Sequence, residues 1–536
     1  MGRLRRRDLI PLALSAVLLA AASPARANPS DAVVASDLDF ARAQLRVTAG
    51  ETAADAYPFR TTASGAWETR EPSWWTSGFY PGSLWLAYRE TGDPWWRAEA
   101  ERRQAGLESQ KGNTSTHDVG FMLMSTYGNA YRETGADAYR QVVLDAARSL
   151  ATRFSPTVGC TRSWGSSSAP EFTVIVDNMM NLELLFRAAA MGGDPAWREM
   201  AISHALRTRE HFVRPDGGTY HVVDFDPGTG AVERKHTHQG LSAESTWSRG
   251  QAWALYGFTV AYRETGDERF LDTARRTADF FTSRLPADHV PYWDFDAAGP
   301  GEPRDSSAAA IAASGLLELS RLEADPGRSG RYRDAAGGIL DTLSSSYLAR
   351  GTPSRSILLH GTGSKPHGDV DEGYAFGDYY FIEALLRWRG APAPAPARPK
   401  LALRLPRGSR SLARLLRRGL PVRVHANMAG RVTASLTLAR RTARRLRLAA
   451  PASRMTVARR ARKISKPGWV TIRLRPGRRA VRRLRHVRAL PARVGLRFVA
   501  RDGRRATAHK PVRFRGTQRA RAGAHRRGQP ARSTPR

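Results

Sequence analysis

The chain has 536 residues, 41% of them hydrophobic, and a formal net charge of +36. That length and apolar share exclude a small disulfide scaffold and a fully disordered chain, and they allow more than one domain. From residue 391 onward there are 43 Lys and Arg against one acid, Asp502, whereas residues 1–390 carry 42 basic and 48 acidic residues, so the basicity belongs to the tail and not to a nucleic-acid cleft in the main body.

In chain order, the first segment reads as an export signal, residues 1–27. Arg5, Arg6 and Arg7 precede an apolar run from Leu9 to Ala22 that is short for a membrane span. Ala25-Arg26-Ala27 offers small residues for cleavage. Arg6-Arg7-Asp8-Leu9-Ile10 leaves the twin-arginine and general routes both open. A secreted or envelope-associated protein is expected.

Residues 31–390 then show an internal repeat: AYRETGD from Ala87, AYRETGAD from Ala130 and AYRETGD from Ala261, with weaker copies at Ala188 and around Asp325-Pro326-Gly327. Gly closes one helix, and Asp or Asp-Pro opens the next. The punctuation predicts six helices at 78–90, 118–133, 177–190, 249–264, 305–322 and 378–388 that are apolar or small nearly all round. Amphipathic helices at 31–47, 95–107, 139–154, 196–212, 268–285 and 332–347 lie between and before them. A helix apolar on all faces must be buried on all faces. Six such helices inside six amphipathic ones predict an all-α (α/α)6 toroid. Its inner helices run parallel and share one mouth.

Residues 391–400 (APAPAPARPK) read as a Pro-rich linker. Residues 401–515 show alternating runs at 421–424, 432–438, 470–474 and 494–499, with turns at Asp502-Gly503 and Lys466-Pro467-Gly468. They predict an Arg-rich β-sandwich-like module. Residues 516–536 read as a disordered basic tail. The lone Cys160 cannot form an internal disulfide and reads as an incidental loop thiol.

The predicted mouth collects His117-Asp118, Asp177, His238-Gln239, Trp247, Arg249, Asp305 and Asp378, with Trp74, Trp75 and Trp164 in nearby loops. Helix capping accounts for an Asp at such a position, and it suits Asp305 and Asp378. Asp177 follows the apolar run Thr173-Val174-Ile175-Val176, which favours a protonated carboxyl fit for acid catalysis. Two carboxyls with aromatic platforms and an Arg suit a carbohydrate enzyme. His236-Thr237-His238 has no third ligand nearby, so no metal and no cofactor are expected. A phosphate-cradling loop and a nucleophile elbow are both missing from the sequence.

At these residues the chain resembles the unsaturated glucuronyl hydrolases, glycoside hydrolase family 88. The resemblance rests on HDVGFM from His117, VDNMMNLELLFRAA from Val176, HQGLSAESTWSRGQAWALYG from His238, PYWDFDA from Pro291, RDSSAAAIAASGLLEL from Arg304 and FGDYYFIEALLR from Phe376. It implies an (α/α)6 barrel and metal-independent removal of a 4,5-unsaturated uronic acid from lyase-generated oligosaccharides. It also implies Asp177 as the general acid and base and Asp118 as its supporting carboxylate. Substrate contacts carry over to His221, His238, Gln239, Trp247, Arg249 and Trp253, with Trp74, Trp75 and Trp164 as stacking platforms and Lys365 near the next sugar. An internal salt bridge is the competing role for Arg249, and core packing is the competing role for the tryptophans.

The stretch Asp371 to Gly377 lacks the Trp that the family more often has before the Gly, which leaves the aglycone open. The runner-up is the related hydrolysis of unsaturated galacturonyl-rhamnose from pectin. Expected partners are unsaturated uronic-acid oligosaccharides of glycosaminoglycan or bacterial origin. For the basic module they are acidic glycans or the cell envelope, with no specific nucleic acid; a solvated appendage without a ligand is the alternative, as is a non-catalytic polyanion-binding protein.

Overall fold

The computed structural model describes residues 28–390 except 167 and 298, then 401–406, 410–426, 430–448, 454–465, 468–500 and 505–516. The expected export signal, the linker, the tail beyond Gly516, and the turn residues Lys466, Pro467, Asp502 and Gly503 lie outside the described residues.

The helices of the first region are α1 (Asp31–Glu51), α2 (Phe79–Thr91), α3 (Pro94–Gln104), α4 (Val119–Leu123), α5 (Asn129–Thr134), α6 (Asp137–Ala151), α7 (Asn178–Ala190), α8 (Pro195–His211), α9 (Ser248–Thr265), α10 (Glu268–Ser283), α11 (Ser306–Leu322), α12 (Pro326–Thr342) and α13 (Ala375–Trp388). A π-helical turn, Met124–Gly128, joins α4 to α5 into one continuous element. The repeated glycines Gly92, Gly135 and Gly266 end α2, α5 and α9 at φ of 67–68°, a left-handed cap that costs glycine nothing sterically. Asp93, Asp194, Asp267 and Asp325 then cap α3, α8, α10 and α12 through their side chains.

Helices α9, α11 and α13 are buried over most of their length, whereas α3, α8, α10 and α12 each leave a charged face in solvent. The buried helices pack in succession: α2 on α5, α4 on α7, α7 on α9, α9 on α11 and α11 on α13, and α13 returns to α2. Each solvent-facing helix packs on a buried one, as α3 on α2, α8 on α7, α10 on α9, α12 on α11 and α1 on α13. Gly120 lets α4 approach α7 closely, because a Cβ there would stand 2.5 Å from the Asn181 side chain. One hydrophobic cluster runs through this whole region.

Short strands decorate the loops: β1 (Tyr57–Thr61), β2 (Trp67–Arg70), β3 (Phe154–Ser155), β4 (Cys160–Thr161), β5 (Phe172–Ile175), β6 (Val222–Phe225) and β7 (Val232–His236). The antiparallel sheet β5-β6-β7 matters most for the site. Cys160 is a correction to the loop reading: it is fully buried in β4, and burial pushes its thiol up to about 12.

Beyond residue 400 the strands are β8 (Leu401–Arg404), β9 (Leu420–Ala426), β10 (Gly430–Ala439), β11 (Arg454–Ile464), β12 (Gly468–Leu474), β13 (Ala489–Ala500) and β14 (Arg505–Arg515). Short helices α14 (Leu412–Arg418), α15 (Arg440–Arg445) and α16 (Arg478–Leu484) connect them. The sheets run β11-β10-β13-β14 and β12-β9-β8 and contribute side chains to one separate hydrophobic cluster. Among the described residues no helix is long and apolar enough to cross a membrane.

Candidate active site

The sheet β5-β6-β7 builds the site. Ile175 pairs with Val222, and the Val176 amide donates to the His221 carbonyl at 3.0 Å. Asp177 and His221 therefore leave adjacent strands side by side, with His221 Nε2 3.8 Å from Asp177 Oδ2. Val222 also pairs with His236, which delivers Thr237 and His238 to the other side of the His221 ring. The His238 amide donates to His221 Nδ1 at 3.2 Å. That nitrogen is an acceptor, so the ring proton sits on Nε2 and faces Asp177. Burial, with the nearby charges of His238 and Arg249, holds His221 well below the usual histidine range and keeps it neutral.

Asp177 stands just before α7 in a helical conformation and makes no capping bond. Its side chain is 14% exposed, and its Oδ2 is buried without a hydrogen-bond partner. Burial raises its pKa from 3.8 to about 7; Arg249 opposes the rise and Asp118 adds to it. The carboxyl thus titrates where a group must both give and take a proton.

Asp118 likewise precedes its helix without capping it. Thr116 donates to its Oδ2 at 3.0 Å, and Asn181 Nδ2 lies 3.5 Å from its Oδ1. His117 Nε2 is 3.3 Å from the same Oδ1, and burial keeps that ring neutral. His117 was read as part of the mouth without a role of its own, and Asn181 was missed. Asn181 stands four residues after Asp177 on one helix face, and that spacing was the available signal.

Asp305 and Asp378 behave differently. Asp305 caps α11 through Ser307 and Ala308, as capping requires, and also pairs with Arg249 at 2.8 Å. The capping expectation for Asp378 is corrected: it lies inside the first turn of α13 and accepts the amides of Ile357 (3.0 Å) and Leu358 (2.9 Å), fixing a neighbouring loop. Its burial also raises its pKa to about 7, yet both oxygens are occupied.

Arg249 is 1% exposed and binds Asp305 and the carbonyls of Thr362 and Gly363, so the internal ion pair is present. It still projects its charge toward Asp177, and it lies over Trp247 at 4.5 Å. Gln239 reaches the Gly363 carbonyl at 2.9 Å. Trp247 stacks on His221 at 4.5 Å, and Trp164 meets His238 at 5.3 Å. His238 also stacks on His367 at 4.6 Å. Trp75 packs at 5.1 Å from Phe376 and touches Phe121, whose ring contacts Trp253 at 5.0 Å. Trp253 is fully buried, and its Nε1, like that of Trp74, has no hydrogen-bond partner. Trp74 packs edge-on against Phe59, with Arg70 over its ring. Lys365 stands apart from the carboxyl pair, on Glu302 and near Trp293. Among the described residues no cluster of three or more His, Cys, Asp or Glu is arranged to hold a metal ion.

Two carboxyls, one of them titrating near neutrality, amid aromatic walls and a buried guanidinium define a carbohydrate-hydrolase class of site. Residues 48–290 match the family model for Glycosyl Hydrolase Family 88. The unsaturated glucuronyl hydrolase of Formosa agariphila is 43% identical over 321 residues, 58% of this chain and 79% of that protein. That of Bacillus sp. strain GL1 is 38% identical, covering 62% of this chain and 91% of its own length. The crystal structure of an unsaturated glucuronyl hydrolase specific for heparin superposes with a TM-score of 0.65 at 39% identity, over 68% of this chain and 98% of that one. The chain belongs to Glycosyl Hydrolase Family 88.

Proposed function

We propose that the chain removes a 4,5-unsaturated uronic acid from the non-reducing end of lyase-generated oligosaccharides, with Asp177 as the proton-transfer group. The observation that carries the assignment of Asp177 is its buried, unpartnered Oδ2 on a carboxyl with a pKa of about 7. The protonated carboxyl gives its proton to C4 of the vinyl ether, and positive charge develops at C5 beside the ring oxygen. Water adds at C5, and ionised Asp177 takes the released proton. The product is a hemiketal, which opens and frees the aglycone. Asp118 raises the proton affinity of Asp177 and positions the sugar. His221 directs its Nε2–H toward the reacting carboxyl, while Trp164, Trp247, His238 and Gln239 wall the pocket. Trp74, Trp75 and Lys365 supply aromatic surface and charge farther out, and Trp253 packs behind Phe121.

The supporting architecture is a closed (α/α)6 toroid: the buried helices contact one another in an order that returns from α13 to α2. Residues 1–27 serve as an export signal, residues 391–400 as a linker and residues 401–515 as a separate basic module. Secretion then places the enzyme among extracellular acidic polysaccharides. The cationic excess of the module, 43 Lys and Arg against Asp502 from residue 391 onward, supports a polyanion-binding role.

The test is Asp177→Asn assayed on unsaturated chondroitin disaccharides through loss of ultraviolet absorbance. Turnover falls by about 10³-fold or more while the circular dichroism spectrum is unchanged. Retained turnover removes Asp177 from this role, and preference for unsaturated galacturonyl-rhamnose would move the substrate to pectin.

A further inference from the structure

The outer face of the sheet β12-β9-β8 joins an aromatic ring to a row of cations. Strand alternation sends Ile472, Leu474, Val422 and Val424 into the core. The same alternation turns Trp469 and Thr471 of β12, His425 and Arg423 of β9 and Arg404 of β8 outward. Register sets them in rows: Trp469 opposite His425, and Thr471 opposite Arg423, which is opposite Arg404. Trp469 stays 38% exposed although Arg404 and Arg423 approach its ring at 5.0 and 5.1 Å and His425 at 5.3 Å. Beyond residue 400 the other aromatic rings, Phe498 and Phe514, are fully buried, which makes Trp469 the one aromatic side chain that the described part of the module offers to solvent. Among the described residues no carboxylate pairs with Arg404, Arg423 or Arg473, and the one acid after residue 390 is Asp502.

We propose that this face binds an acidic polysaccharide, with Trp469 against the apolar face of one sugar ring and Arg404, Arg423 and Arg473 on its carboxylate or sulfate groups. The arrangement fits that chemistry. Successive outward side chains of one strand stand roughly 7 Å apart and neighbouring strands about 5 Å apart, so a pyranose on Trp469 lies one step from two guanidiniums. Guanidinium forks match planar or tetrahedral oxyanions. Single-stranded nucleic acid is a poorer fit, because its binding surfaces use several aromatic platforms in series and this face has one. The choice of polysaccharide rests on the proposed function, since a tethered module would raise the local concentration of the parent polymer beside the catalytic region.

The experiment measures binding of the full chain to intact chondroitin sulfate, which has no unsaturated end, with duplex DNA and uncharged dextran as comparators over a range of salt concentrations. Wild type binds chondroitin sulfate and not dextran. Trp469→Ala weakens that binding about tenfold without changing its salt slope, and Trp469→Phe retains it within about threefold. Arg404→Gln with Arg423→Gln flattens the salt slope. Hydrolysis of unsaturated disaccharides is unchanged in all of these variants, so loss of the binding claim and loss of the hydrolase claim are separate results. No binding by wild type, or Trp469→Ala binding as wild type does, overturns the proposal. Tighter, Trp469-dependent binding of DNA reassigns the face to nucleic acid.

Discussion

The two ends of the buried helices carry opposite kinds of polar chemistry. At their C-terminal ends, Arg263 pairs with Glu183, Glu264 and Glu318, and Arg387 pairs with Glu318 and Glu383. Tyr256 and Ser314 donate to Glu383 at 2.7 and 2.6 Å. Glu318 is held down at about 2 by Arg387 and Arg263 against its burial. Toward the N-terminal ends, Asp177 Oδ2, His221 Nε2 and Trp253 Nε1 are buried with no hydrogen-bond partner. Atoms left so are available to a ligand that completes them. The paired end secures the helices, and the end with unpartnered atoms is the one that carries the proposed chemistry.

Three changes probe this contrast. The largest expected effect is at the paired end. Glu318→Ala leaves the buried Arg387 and the partly buried Arg263 guanidiniums short of charge, and unfolding titrations should show a loss of about 3 kcal/mol or more with kcat per folded molecule unchanged. A loss of kcat at intact stability would show that the two ends are not separable. Next is Asp177→Asn, which should stabilise the fold. Because the folded pKa of Asp177, about 7, exceeds its ordinary 3.8, the native state binds more protons than the unfolded state between those values. Stability therefore falls as pH rises through that window. The variant escapes this cost, so urea melts should show it gaining more over wild type at pH 8 than at pH 5, by about 2–3 kcal/mol. A variant less stable than wild type at pH 8 would mean that Asp177 is a structural partner. The smallest effect is at the rim. Lys365→Ala, which frees Glu302, should raise KM for sulfated disaccharides by about threefold with little change in kcat.

The helical region was legible because its two helix classes differ in composition and its caps recur. Gly92, Gly135 and Gly266 ended helices, and the aspartates after Gly92, Gly193 and Gly266 opened the next ones, as the repeat implied. The β module was half legible. Strands β9, β10, β12 and β13 alternate cleanly, but β11 reads RMTVARRARKI with Arg on both sides and a register shift opposite Leu436, which hides its period. Strand β14 is masked in the same way by outward Arg and Lys. In the site, the carboxyl pair could be read from the motifs, but long-range pairings could not. Arg249 with Asp305 and Lys365 with Glu302 join residues more than 50 positions apart, and no local pattern announces them. Asp378 looked like a cap because it opens a helical stretch; its partners come from a loop some twenty residues earlier.

The central claim is a carboxyl at position 177 that changes protonation near neutrality. The direct measurement is the pH dependence of kcat/KM on an unsaturated chondroitin disaccharide. A fall on the alkaline side with an inflection near pH 7 is expected, as Asp177 loses the proton it would donate. A rate that stays level to pH 9, or one that already falls above pH 4, would contradict it.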